Sequence, residues 1–150
     1  MNWLDVNEEY IRASMVVLIE GWNTGGPEVQ QCIHEDIYKS YAGLVVALFH
    51  EGPERVRRIL EAVGPEGARV LASILVEAAC KVVRAGWRPA NSIDHAALIT
   101  IAANRYLTFQ GVDAYDCPLS TVAETGKLLV AGELKSEIEE TIKRVREASA

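Results

Sequence analysis

Gly-Pro-Glu occurs three times, at Gly26-Pro27-Glu28, Gly52-Pro53-Glu54 and Gly64-Pro65-Glu66. Each copy combines the residue types that close one helix and open the next. Glycine accepts the left-handed conformation of a helix end, and proline suits the first helical position, where its missing N–H is an orphan anyway. Glutamate favours the positive end of the helix dipole. The copies are unevenly spaced, which argues for punctuation between helices and against a solenoid repeat.

The segments between these marks carry helical periodicity. From Asp5 to Glu20, Val6, Tyr10, Ala13 and Val17 form an apolar stripe widened by Ile11, Met15 and Leu18, which predicts a helix ending at Gly21. Trp22-Asn23-Thr24-Gly25-Gly26 has no periodicity and two adjacent glycines, and is expected to be a loop. A second helix is expected from Pro27 to His50, amphipathic at first and apolar all round from Ala42 to Phe49. A third is expected from Pro53 to Val63. Between Glu66 and Ala85 the polar residues Arg69, Ser73, Glu77 and Lys81 leave a thin stripe on an otherwise apolar cylinder, which predicts a central helix. Ser92 is placed to cap a fifth helix, Ile93 to Gln110. Gly111 to Pro118 reads as loop, followed by helices over Leu119 to Ala131 and Glu133 to Ala148. The last is one-sided, with Leu134, Ile138, Ile142 and Val145 opposite its charges.

No run combines alternation with β-branched enrichment, so strands are not expected. The fold class that follows is all-α: a compact bundle of six or seven helices with one or two buried central helices, the Glu66 and Ile93 helices being the candidates, in a single domain over residues 1–150. At 150 residues, with 49% apolar and 24% charged composition, the chain can bury a sizeable core without a disulfide or metal. Its three cysteines include no Cys-x-x-Cys pair, which fits reduced thiols. No apolar run approaches the length of a membrane span, and Asp5, Glu8 and Glu9 stand where a secretory leader would carry basic residues. A cytoplasmic protein with no membrane contact is expected. The net charge of −6 disfavours nucleic acid as a partner.

Candidate chemistry is sparse. Cys32, His34, Glu35 and Asp36 form the densest polar cluster, but only Cys32 and Asp36 share a helical face, and a metal would need His95 or Cys80 from elsewhere. No catalytic residue, metal site or cofactor is expected. His50 suits the negative end of a helix dipole, and Asp94 with His95 suits a first turn. Cys117 precedes Pro118 near a helix start, a setting that lowers a thiol pKa, although Asp116 opposes it. Arg55, Arg57 and Arg58, like Lys143, Arg144 and Arg146, are interrupted by glutamates and read as solvated helix faces.

Trp22 and Trp87 each follow a glycine after a Val-Val-containing helical run. Each can fold back on the preceding turn, Trp22 onto Val17 and Trp87 onto Val82, or stand out as an anchor. Trp22, Trp87 with Arg88, and Tyr115 are the expected protein-binding residues, since aromatic side chains and arginine concentrate in binding hot spots. The functional expectation is a small non-enzymatic helical binding or adaptor protein acting by protein–protein contact and self-associating as a homo-oligomer. The alternative is an enzyme or small-ligand-binding protein with an inter-helix pocket that draws on Cys32, Asp36, Glu77, His95 and Cys117.

Overall fold

In the computed structural model the residues described are 3–38, 47–84 and 92–131. Among them the chain is all-helical, with no strand and no helix long and apolar enough to cross a membrane. The described residues form five α-helices: α1 (Trp3–Thr24), α2 (Gly26–Ile33), α3 (Pro53–Arg84), α4 (Ser92–Phe109) and α5 (Leu119–Ala131). Single π-helical turns, His34–Tyr38 and Ala47–Glu51, lie between α2 and α3, and a short 3-10 turn, Ala114–Asp116, joins α4 to α5.

The glycines of all three Gly-Pro-Glu copies adopt positive φ, at 84°, 91° and 73° for Gly26, Gly52 and Gly64. A Cβ at any of them would meet open space, so backbone conformation rather than crowding calls for glycine there. Gly64 is non-helical inside α3 and splits it into the two segments that the sequence separates, with Pro65 opening the second.

Gly21 differs from its expected role. It does not end α1, which continues through Trp22 to Thr24, where Thr24 Oγ1 donates to the Glu20 carbonyl. The Gly25 amide then donates to the Gly21 carbonyl over 2.7 Å, and Gly25 alone separates α1 from α2. Gly21 is instead a site of close helix approach, since a Cβ there would lie 2.7 Å from Val82 Cγ1 on α3. Helical periodicity does not reveal which glycine faces a neighbour and which ends a helix.

The centre is also displaced from the expected one. Buried residues lie on almost every side of α1, among them Val6, Tyr10, Ile11, Met15, Val17 and Leu18. This helix packs chiefly on α3 and α4. Fully burying each of its larger apolar side chains contributes about 1.5–3 kcal/mol. Two polar residues of α1 are drawn inside: Asn7 Nδ2 donates to the Trp3 and Tyr115 carbonyls, and Ser14 Oγ donates to that of Tyr10. On α3 the polar stripe holds, with Ser73, Glu77 and Lys81 exposed and Ala68, Ala72, Leu75, Val76 and Ala79 buried.

Candidate functional site

The described surface opens into a groove of about 580 Å³ between the second segment of α3 and the α4–α5 connection. Val70, Ser73 and Ile74 form one wall; Thr108, Gly111, Val112, Asp113 and Tyr115 form the other, with Arg69 at the rim. The connection is built by a glycine turn. Gly111, at φ 78°, donates its amide to the Thr108 carbonyl, and the Val112 amide reaches back to Leu107 over 2.9 Å. These paired bonds are the Schellman closure of a helix, and they aim the chain across the end of α4. Asp113 then accepts from the Tyr115 amide and starts the 3-10 turn.

Apolar side chains are exposed along this face. Val70 and Ile74 lie one turn apart on the second segment of α3, Val112 stands on the opposite wall, and Val63 is exposed just before the break at Gly64. Phe109, next to the turn, is 80% exposed. The rim carries both signs of charge: Arg69 pairs with Asp113 and Asp116. Partial dehydration lowers the Arg69 pKa, but the Asp116 hydrogen bond and both carboxylates outweigh it and raise the value overall.

Behind the groove lies a polar cluster. The Tyr115 ring stands edge-on to that of Tyr10, with centroids 5.5 Å apart, and its carbonyl accepts from Asn7. Burial pushes the Tyr10 phenol well above the usual tyrosine range, with further increments from Cys117 and Tyr115 and a small opposing effect from Asn104. The Tyr115 phenol is raised for the same first reason, against the pull of Asn104 and Ser73. Asn104 is thus the polar neighbour of both phenols, and Asn7 Oδ1 is buried without a hydrogen-bond partner among the described residues. Arg105 donates through Nε to Cys80 Sγ at 3.2 Å and faces Glu77 at 3.5 Å.

Of the expected binding residues, Tyr115 lines this groove. Trp22 lies elsewhere. It is half-buried in α1, its carbonyl accepts from Gln30 Nε2, and its ring faces that of His34 at 6.5 Å. These contacts join it to α2 and the turn beyond it. Trp87 and Arg88 lie outside the described residues, as do the side chains of Asp36, Asp94 and His95. The five residues of the alternative reading separate where they can be seen, for Cys32 is on α2, Glu77 is exposed on α3, and Cys117 is buried before α5. Cys117 also departs from the reactive setting. Burial raises its thiol pKa, Asp113 and Asp116 add to that, and Sγ donates to the Asp113 carbonyl.

Among the described residues no group of three His, Cys, Asp or Glu side chains is placed to hold a metal ion. Two arginines of the Arg55–Arg58 cluster are engaged with carboxylates: Arg55 pairs with Glu51, and Arg57 pairs with Asp5 and with Glu8 at 3.0 Å. These last pairs line a charged cleft of about 340 Å³ between α1 and the start of α3.

Sequence reasoning passed over Val70, Ile74, Val112 and Phe109. The available signal was the narrowness of the α3 polar stripe, which leaves Val70 and Ile74 flanking Arg69 and Ser73. Reading that stripe as the mark of a covered helix assumed that every apolar flank has a neighbour. No family model, curated protein or solved structure matches the chain.

Proposed function

We propose that this chain is a non-enzymatic helical binding protein that acts by contact with a second copy of itself, centred on the exposed apolar face of Val70, Ile74, Phe109 and Val112. The observation that carries the reading is that face: large apolar side chains exposed on both sides of one groove, Val70 at 54% and Val112 at 40%, with Phe109 exposed beside the turn. Contiguous exposed apolar surface on a water-soluble fold marks an interaction site. A second copy suits it because a two-fold contact places a patch against itself and must be self-complementary. Here the rim already pairs a cation, Arg69, with Asp113 and Asp116, so two copies meeting face to face can exchange those partners. Tyr115 belongs to this contact surface; Trp22, Trp87 and Arg88 are proposed as a separate set of protein-binding residues. The reading takes the fold as a bundle of six or seven helices in the reducing cytoplasm, with no membrane or nucleic-acid partner and no cofactor.

Sedimentation velocity over a concentration series tests the contact. The expected result is a concentration-dependent dimer that Ile74→Asp and Val112→Asp each return to monomer without loss of helicity. A monomer at every concentration overturns the self-contact, and the segment 133–148, with its one-sided Leu134, Ile138, Ile142 and Val145, becomes the occupant to examine. A dimer that survives both substitutions places the contact elsewhere, and Trp22→Ala and Trp87→Ala are then the informative variants.

A further inference from the structure

The apolar face is bordered by more carboxylates than cations. On the second segment of α3, Glu66, Arg69, Val70, Ser73, Ile74 and Glu77 recur at the spacings of one helical stripe, so Glu66 and Glu77 stand at either end of the Val70–Ile74 wall. The connection opposite carries Asp113 and Asp116, and all four carboxylates are exposed. Two guanidiniums answer them: Arg69 pairs with Asp113 and Asp116 and also feels Glu66, and Arg105 faces Glu77 at 3.5 Å. Among the described residues the border is therefore net negative. In a two-fold contact this border meets its own copy. Each Arg69 can keep its aspartates or exchange them for those of the second copy, but exchange conserves the number of pairs. The surplus carboxylates of both copies approach one another whichever partner each Arg69 takes, and like charges brought together across an interface oppose binding.

We propose that ionic strength regulates the self-contact through this carboxylate border, so that two copies separate at low salt and associate as salt rises. The dependence rests on the self-contact proposed above and concerns the same face. Burial of Val70, Ile74 and Val112 favours association at any salt concentration, whereas repulsion between the borders is screened over a Debye length of roughly 30 Å at 0.01 M and roughly 10 Å at 0.1 M. The carboxylates lie at the surface, where such screening is effective. An interface held by exchanged ion pairs would respond in the opposite sense and loosen as salt rises. The chain also carries a net charge of −6, which repels a second copy from any direction. Glu66 and Glu28 separate the local effect from this general one. Both are the glutamate of a Gly-Pro-Glu copy, both are exposed in the first turn after a positive-φ glycine, and only Glu66 borders the groove walls, since Glu28 lies on α2.

Sedimentation velocity of the full chain at neutral pH, in sodium chloride from about 10 mM to about 300 mM, tests the proposal. Chloride is used because sulfate strengthens apolar burial on its own account. The dimer Kd is expected to fall at least about fivefold across this range. Glu66→Gln and Asp116→Asn, the latter leaving Asp113 to hold Arg69, are each expected to tighten the dimer at least about twofold at the lowest salt and to flatten its salt dependence. Glu28→Gln, which changes the net charge by the same amount, is expected to behave as the parent. Circular dichroism confirms that each variant keeps its helicity. A dimer whose Kd is indifferent to salt or rises with it overturns the regulation and leaves the self-contact standing. Equal tightening by Glu28→Gln and Glu66→Gln overturns it too, because net charge and not the border is then responsible. A monomer under every condition, including Glu66→Gln at the highest salt, defeats the self-contact itself and the regulation with it.

Discussion

Replacing Gly21 by alanine sets two effects of similar size against each other. In an exposed helix interior the change would stabilise by about 1 kcal/mol through helix propensity alone. Here the added Cβ would lie 2.7 Å from Val82 Cγ1, well inside van der Waals contact, while its distances to Val29 and Ile33, 3.5 and 3.6 Å, are ordinary. Val82 is fully buried and β-branched, so its methyl cannot swing aside freely. Overpacking of this kind costs about 1–3 kcal/mol, which leaves Gly21→Ala destabilised by about 1 kcal/mol net. Val82→Ala alone removes the offending methyl and leaves a small cavity, for a loss of about 2 kcal/mol. In the double variant the new methyl occupies part of the vacated space, and the total loss should be about 1 kcal/mol rather than the additive ~3. Urea unfolding followed by far-UV circular dichroism measures all four corners of the cycle, with an unchanged slope showing that only stability has moved. Gly21→Ala more stable than the parent, or a cycle that is additive within error, would refute close approach of α1 and α3 at this glycine.

Two further outcomes follow from the buried phenols and the Cys117 thiol. Tyr10 and Tyr115 have folded pKa values above the ordinary tyrosine value of about 10. Between the two values the unfolded chain has lost protons that the folded chain retains, so their stabilisation is complete below about pH 10 and is lost as pH rises through the folded pKa. Tyr10→Phe should flatten this alkaline fall in the urea midpoint. At neutral pH it should cost no more than about 1 kcal/mol, because Asn104 is the one side chain whose hydrogen bond acts on the hydroxyl; a larger cost would mean that this bond is stronger than its small effect on the phenol implies. Cys117, buried and raised in pKa, should react with an aromatic disulfide reagent only slowly in the native state and rapidly in urea, and fast native labelling that Cys117→Ser removes would contradict its setting.

The helical class and most helix boundaries were legible because they depend on local chemistry. Pro53 and Pro65 can start a helix and cannot continue one, and Gly52 and Gly64 take positive φ whatever the rest of the fold does. Burial of α1 was not legible, because it turns on where Asn7 and Ser14 find acceptors, and one of Asn7's acceptors is the carbonyl of Tyr115 at the far end of the chain. Gly21 was misread for the same reason, since Val82 is its nearest neighbour in space and distant in sequence. The groove fell between these cases. Tyr115 was singled out as an aromatic residue in a loop, but the exposure of Val70 and Ile74 depends on how closely the Gly111–Asp116 connection approaches α3, which no periodicity encodes.

That approach has a physical cause in the kinds of contact that hold the connection. On its inner side it is held by hydrogen bonds and an aromatic contact: Val112 to Leu107, Asn7 to the Tyr115 carbonyl, and Tyr115 against Tyr10. On its outer side it is joined to α3 through Arg69 and the carboxylates of Asp113 and Asp116. A long side chain reaching across to two aspartates spans a distance that packed valine and isoleucine would close. Val70 and Ile74, adjacent to Arg69 and Ser73 on α3, therefore face Val112 across a gap instead of interdigitating with it. The same bridge that ties the loop to α3 therefore stands at the rim of the groove, between its two apolar walls. In Arg69→Met the strut is gone and the walls can close. Such a variant should weaken the self-contact while the core around Tyr10 stays intact; sedimentation velocity beside the parent chain checks it, and an unchanged dimer would show that the bridge does not hold this face open.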